Sequence, residues 1–208
     1  QKKDHSTISG DNFTMFDLDR GHQVIALSDG MGSGSRANQE SELVIDLIER
    51  LIKAGFEREI AIRMMNSAMV LQGEEDSFST LDLAGLDLYS GKLELAKIGA
   101  AASFLKHEDE VSILQAESLP AGADPKQEPA VIKRQTEHGD FLVMVTDGVL
   151  EYLHEEKPLD FFANMIQRVK TDNAGVMAKT LLEQVLIHTG GHARDDMTIL
   201  VTGIWEKN

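Results

Sequence analysis

The segment that decides the fold reads DNFTMFDLDRGHQVIALSDG and spans residues 11–30. Two strand-like stretches, 12–17 and 23–27, flank the turn-forming residues Asp19-Arg20-Gly21, a pattern that predicts a β-hairpin. The turn centres near residue 20, and Asp11 and Asp29 each lie nine residues from that centre. We therefore expect these two aspartates to face each other across the open end of the hairpin.

The residues after the hairpin predict two helix pairs separated by strands. In the first helix Leu43, Leu47 and Leu51 recur every four residues beside Val44, Ile48 and Ile52, which gives one apolar face. A second helix is expected over 57–71. Further strands are predicted at 80–88, 92–98, 102–106, 111–114, 141–145 and 198–202, and further helices at about 158–170 and 174–188.

This order of elements predicts the fold class. Strands, a helix pair, strands, a second helix pair and a last strand, joined by hairpin-like links, favour mostly antiparallel sheets with helix pairs on their outer faces. We expect one α/β domain of the α+β type over residues 1–208. The chain opens on Gln1 rather than methionine, and strand-like sequence begins within ten residues, so we interpret it as a fragment of a longer protein.

The composition excludes several classes of function. The net charge of −15 argues against nucleic-acid binding and against docking of this domain on an anionic membrane surface. The absence of cysteine excludes disulfides, thiolate metal sites and cysteine nucleophiles, and is consistent with a cytoplasmic domain. No apolar run approaches the ~18–20 residues that a membrane-spanning helix needs.

Acidic residues recur where an apolar strand meets a loop. In an antiparallel sheet, residues that follow one strand and precede its neighbour can meet at one edge. Burying such carboxylates together without a cation is costly, and oxygen-only ligands favour magnesium or manganese over zinc. The expected ligands are Asp11, Asp29, the carbonyl of Gly30, Asp147, Asp195 and Asp196.

Two alternatives explain parts of this pattern without a metal. Aspartates are common in turns because they bond to the nearby backbone. The glycine-rich stretch 29–35 could cradle a phosphate at a helix N-terminus, but it lacks the Gly-Lys-Ser/Thr of a P-loop, and we favour Ser33 or Ser35 as a helix N-cap.

Four motifs together resemble the PPM (type 2C-like) protein phosphatases, most closely their sporulation branch. They are Ser9-Gly10-Asp11, Ser28-Asp29-Gly30-Met31-Gly32, Thr146-Asp147-Gly148 and Arg194-Asp195-Asp196-Met197-Thr198. The resemblance covers nearly the whole chain, with the motifs in the family's order. It implies an αββα sandwich with two manganese or magnesium ions at one edge.

The resemblance also implies a role for each aspartate. Asp29 would bridge both ions, Asp147 and one aspartate of the Arg-Asp-Asp motif would complete one site, and Asp11 with the Gly30 carbonyl would hold the other. Asp29 and Asp147 are thus the expected catalytic residues, acting through metal-bound water. The family motif usually reads Asp-Asn, which favours Asp195 as the ligand, and both Asp195 and Asp196 stay in the predicted set.

The implied activity is hydrolysis of a phosphoserine or phosphothreonine protein by a water that two divalent ions activate. Many relatives have a histidine where this chain has Met31, which cannot donate a proton, so the general acid is left open. The sporulation branch implies an anti-sigma-factor antagonist as the substrate and a parent protein anchored in the membrane at the division septum. A homodimer is a further expected partner state. The alternative function is a catalytically inactive binding module with the same fold.

Overall fold

The computed structural model describes residues 1–4, 6–19, 21–32, 34–72 and 77–206. The chain divides into two compact units. The five-stranded unit comprises Thr7–Ala100 and Ala116–Gln135, and the four-stranded unit comprises Gln1–Ser6, Ala101–Gln115 and Thr136–Asn208.

The five-stranded unit is an antiparallel sheet with two helices on one face. Its strands run in the spatial order β1-β2-β3-β4-β7, and α1 packs on β1 and β2. The elements are β1 (Asp11–Leu18), β2 (His22–Asp29), α1 (Ser35–Lys53), α2 (Arg58–Gln72), β3 (Leu81–Asp87), β4 (Lys92–Ile98) and β7 (Ala130–Gln135).

Alternation along the strands supplies the core of this unit. Val24 and Ala26 of β2, two residues apart, both contact the helix layer, where Val44, Ile48 and Met65 are fully buried. The helix face of period four in α1 is therefore confirmed. Burying side chains of this kind stabilises a fold by roughly 1.5–3 kcal/mol each.

The four-stranded unit repeats this design. Its strands run in the order β6-β5-β8-β9, all antiparallel, and α4 and α5 pack on the sheet. Phe104 of β5 meets Phe162 of α4 edge to face at 5.2 Å in the centre of its core. The elements are β5 (Ser103–His107), β6 (Glu110–Leu114), β8 (Asp140–Val145), α3 (Asp147–Leu150), a 3₁₀ turn (Glu151–Leu153), α4 (Pro158–Arg168), α5 (Ala174–His188) and β9 (Ile199–Ile204).

Both antiparallel sheets and both helix pairs were predicted, and the fold class is confirmed. Three details differ. The edge strand β7 was missed because its last residues are polar and exposed, and the short helix α3 was missed because a four-residue helix has no periodicity to detect. The N-cap of α1 is Gly34 without a side-chain cap, so the prediction for Ser35 is wrong, while Ser33 lies outside the described residues.

Candidate active site

The hairpin brings two of the predicted ligands together in the five-stranded unit. The register pairs Asp11 at the start of β1 directly with Asp29 at the end of β2, as the sequence predicted. Residues paired across an antiparallel ladder have Cβ atoms about 4.5–5.5 Å apart. Asp11 is buried and Asp29 is half-buried, so two carboxylates share one partly desolvated end of the sheet.

The backbone of Asp29 is held by the two residues that directly precede β3. Its backbone N–H donates to Thr80 Oγ1 at 2.9 Å, and its carbonyl oxygen accepts from the Thr80 N–H at 2.8 Å and from Ser79 Oγ at 2.8 Å. A second hydroxyl, Ser28 Oγ, lies 2.9 Å from Ser79 Oγ. These bonds fix the backbone from which the Asp29 carboxylate projects.

Gly30 occupies a place where any side chain would collide with the backbone of α1. A Cβ atom at this position would lie 1.9 Å from the carbonyl oxygen of Ala37 in the first turn of α1. The Gly30 N–H donates to the Gly10 carbonyl at 3.2 Å, and Gly30 forms a bridge with Ser79. The glycine therefore lets the loop after Asp29 pass directly against the helix.

The four-stranded unit carries the remaining predicted ligands at the end of β8. Thr146 follows the strand and is the N-cap of α3, so Asp147 is the first residue of that helix. Thr146 and Thr198 bond reciprocally: the Thr146 N–H donates to the Thr198 carbonyl at 3.1 Å, and the Thr198 N–H donates to Thr146 Oγ1 at 3.0 Å. A Cβ at Gly148 would lie 2.1 Å from the Asp196 carbonyl oxygen, so the two loops are in close contact.

Asp195 and Asp196 have different surroundings. Asp196 is buried, and its Oδ1 accepts the backbone N–H of Lys3 at 2.7 Å. The Asp195 side chain is 34% exposed, and its Oδ1 accepts the Asp196 N–H at 3.0 Å and lies 3.7 Å from Lys3 Nζ. The Asp195 Cβ is also 3.2 Å from the position of a Cβ on Gly148, next to Asp147. Asp195 is therefore the more accessible carboxylate beside Asp147.

The Glu151 carboxyl lies close to the negative charges of Asp147 and Asp195. The charge of Asp147 raises the pKa of the Glu151 carboxyl, and partial desolvation and the charge of Asp195 raise it further. Glu151 was missed in the sequence, although its position four residues after Asp147, one helical turn, is a signal that could have identified it. Lys3 was also missed, and no local pattern points to it.

The donor set fits a hard divalent cation. All the side chains involved are carboxylates, and Gly30 contributes a backbone carbonyl next to Asp29. Among the residues that the structure describes, no three acidic or histidine side chains form a group that could hold a metal ion. The five-stranded unit carries Asp11 and Asp29, and the four-stranded unit carries Asp147, Asp195 and Asp196.

Met31, which stands where many PPM phosphatases have a histidine, is 47% exposed directly after Gly30. Several histidines have partners elsewhere in the four-stranded unit. His107 Nδ1 lies 2.6 Å from Asp140 Oδ1, and His188 Nε2 lies 2.7 Å from the Leu153 carbonyl. His5 lies outside the described residues. These contacts assign no general acid.

Comparisons with known proteins cover nearly the whole chain and therefore both units. The family described as stage II sporulation protein E (SpoIIE) matches residues 19–204. Stage II sporulation protein E of Priestia megaterium is 36% identical over 195 residues, and that of Bacillus subtilis strain 168 is 35% identical over 198 residues. These matches cover 93% and 95% of this chain but only 33% and 24% of the relatives.

Solved structures give the same result. The PP2C phosphatase domain of B. subtilis SpoIIE, solved with a fragment of its regulatory domain, superposes with a TM-score of 0.93 at 34% identity, covering 100% of this chain and 62% of that one. RsbX in complex with magnesium shares the fold, with a TM-score of 0.74 at 21% identity and coverage of 98% and 92%. Among the described residues, no helix is long and apolar enough to cross a membrane. The matches confirm the resemblance to the PPM phosphatases and the predicted enzyme class: the chain belongs to the stage II sporulation protein E family and corresponds to its PP2C-type serine/threonine phosphatase domain.

Proposed function

We propose that this chain hydrolyses phosphoserine or phosphothreonine in a protein substrate with the help of two divalent ions, manganese or magnesium. The observation that carries the proposal is the pairing of Asp11 with Asp29 beside Gly30, whose place allows no side chain. A second support is the close packing of the Asp147 and Asp195 loops at Gly148, where the charge of Asp147 raises the pKa of the Glu151 carboxyl.

The proposed ligands follow the family pattern. Asp11, Asp29 and the Gly30 carbonyl would hold one ion, and Asp147 with Asp195 would hold the other. We favour Asp195 over Asp196 because its side chain is 34% exposed beside Asp147, whereas Asp196 is buried. The assignment of residues 1–208 to one phosphatase domain stays a prediction.

When bound, the ions would supply Lewis acidity that activates a water and offsets the charge of the phosphoryl group. Residues of the chain itself position the proposed ligands. Ser79 and Thr80 hold the backbone of Asp29, and the reciprocal bonds between Thr146 and Thr198 hold the backbone directly before Asp147. With no cysteine in the chain, water is the proposed nucleophile and no cysteinyl-phosphate forms. Met31 supplies no proton to the leaving oxygen.

The finer features of the biological role are also proposals. The family membership supports a serine-phosphorylated anti-sigma-factor antagonist as the substrate. The chain spans about a quarter to a third of the curated relatives, which supports a role as the phosphatase part of a longer protein. We propose that this parent protein is anchored in the cell membrane at the division septum, that this domain itself makes no membrane contact, and that it acts as a homodimer.

The test is manganese-dependent hydrolysis of a generic aryl phosphate. We expect activity with added manganese, none with a chelator, and a loss of about a hundredfold or more in Asp29→Asn and Asp147→Asn. Removing one of several crowded carboxylates should leave the stability of the metal-free protein unchanged or higher. Asp160→Asn, an exposed residue on α4, is the matched control and should retain full activity.

Retention of most activity by Asp29→Asn or Asp147→Asn at saturating manganese would rule out the ligand assignment. An inactive but folded wild-type chain that still binds the phosphoprotein would instead favour the catalytically inactive binding module.

A further inference from the structure

The strand β1 presents two large apolar side chains to solvent. Phe13 is 59% exposed and Met15 is 60% exposed, although both lie in the middle of a regular strand. Their neighbours on the opposite face contact α1; for example, Asn12 Nδ2 donates to Ser41 Oγ at 2.9 Å. Phe13 and Met15 therefore belong to the face of the sheet away from α1.

The backbone of the same residues points to an open edge. β1 is the first strand of the five-stranded sheet, and among the described residues it pairs only with β2. The bond from the Gly30 N–H to the Gly10 carbonyl marks a hydrogen-bonded pair, and such pairs alternate along an antiparallel ladder. Phe13 and Met15 fall in the alternate pairs, so their N–H and C=O groups point away from β2.

An unprotected edge strand of this kind is uncommon, because its free backbone groups can pair with other chains. Edge strands are commonly protected by lysine, proline, a bulge or a short length. β1 is eight residues long, contains neither lysine nor proline, and pairs with β2 in unbroken register. Apolar side chains next to unpaired backbone groups are instead the features that bind an added strand.

The position of this edge indicates its occupant. Asp11, a proposed metal ligand, lies on the same strand and the same face, two residues before Phe13 and four before Met15. At about 3.3 Å per residue, Phe13 lies about 7 Å and Met15 about 13 Å along the strand from Asp11. A segment bound on this edge would thus hold its parent protein within reach of the proposed catalytic centre.

We propose that the outer edge of β1, with Phe13 and Met15, docks an extended apolar segment of the phosphoprotein substrate. The inference rests on the proposed function. It adds a surface that a protein substrate would contact and a small phosphate ester would not. Asp17 follows the two apolar residues on the same strand, so a basic residue beside the apolar ones in the docked segment would match it in charge.

The test compares two substrates in the double variant Phe13→Ser, Met15→Ser. Hydrolysis of an aryl phosphate, which does not use the edge, should keep the wild-type rate. For the serine-phosphorylated anti-sigma-factor antagonist, kcat/KM should fall about tenfold or more, because two apolar contacts are lost. Ile187→Ser is the matched control, since Ile187 is 79% exposed on α5, and it should leave both reactions unchanged.

Binding of the same phosphoprotein to the metal-free chain separates this inference from the proposed function. The double variant should bind at least about tenfold more weakly than wild type, whether or not the wild type hydrolyses the aryl phosphate. Equal binding and equal kcat/KM in the variant would overturn the docking surface, as would an equal loss on both substrates. A third result would also overturn it: the wild type is a dimer, the double variant is a monomer, and the kinetics on the phosphoprotein are unchanged. The edge would then bind a second copy of this chain and not the substrate.

Discussion

The contact between Gly30 and α1 gives the sharpest test of the site's construction. In Gly30→Ala the new Cβ would lie 1.9 Å from the carbonyl oxygen of Ala37, 2.6 Å from its carbonyl carbon and 2.8 Å from its Cα. Gly30 does not have a positive φ, so the substitution adds no conformational strain of its own. The whole effect comes from the collision with backbone.

The size of the effect follows from this geometry. The first turn of α1 must retreat from Gly30 by about 1 Å, and overpacking of this kind costs about 1–3 kcal/mol. Because the atoms in the way belong to the backbone and cannot rotate aside, we expect a loss in the upper part of that range. The same shift moves the Gly30 carbonyl, so manganese should bind more weakly.

Two measurements check this prediction. Urea unfolding of the metal-free protein gives the loss of stability, and the manganese dependence of aryl phosphate hydrolysis gives the change in metal affinity. Gly175→Ala, within α5, is the control: the nearest atom is Asn173 Oδ1 at 3.3 Å, the end of a side chain, and alanine favours a helix. Wild-type stability in Gly30→Ala would refute the packing argument, and a loss of stability with unchanged manganese dependence would refute the ligand role.

Two further predictions concern charges in the four-stranded unit. Lys3→Met should tighten manganese binding by up to about fivefold at low salt, because Lys3 Nζ, 3.7 Å from Asp195, opposes a cation there; the gain should vanish at high salt. Thermal unfolding with added manganese measures it, with Lys2→Met as the control, and weaker binding would contradict it. The hydrogen bond and charge of Asp140 raise the pKa of His107 above 6.5. This pair thus stabilises the fold fully below about pH 6.5 and less as pH rises through the folded-state value, so His107→Gln should lower unfolding free energy more at about pH 6 than at about pH 9. An equal loss at both pH values in urea unfolding would contradict the linkage.

Local features of the fold were predictable because their causes are local. The pairing of Asp11 with Asp29 follows from counting outward from one turn, since each residue added to one strand of a hairpin adds a partner on the other. The helix α5 was predicted with its observed bounds, Ala174–His188, because its flanking residues and its composition agree.

Features that depend on distant partners were not predictable. β7 carries Lys133 and Arg134 among its exposed residues and reads as a loop, yet it pairs with β4 in full register because that edge of the sheet was open. Sequence propensity identifies strands whose alternating apolar residues are buried on one face of a sheet. An edge strand with polar residues forms because the neighbouring strand has backbone N–H and C=O groups available for pairing.

Asp195 and Asp196 are adjacent and chemically identical, but contacts with residues distant in sequence give them different surroundings. Gln1 pairs with Met197 through two backbone bonds of 2.8 Å, and this pairing brings the Lys3 N–H to Asp196 Oδ1. Asp195 also accepts a backbone N–H, from Asp196, so the two carboxylates differ mainly in exposure: Asp195 remains a third exposed, whereas Asp196 is buried. We therefore propose that Asp196 holds the segment 1–4 in place and that Asp195 is the ligand beside Asp147. The asparagine usual in the family at the position of Asp196 fits the same role, because an amide oxygen accepts that hydrogen bond equally well.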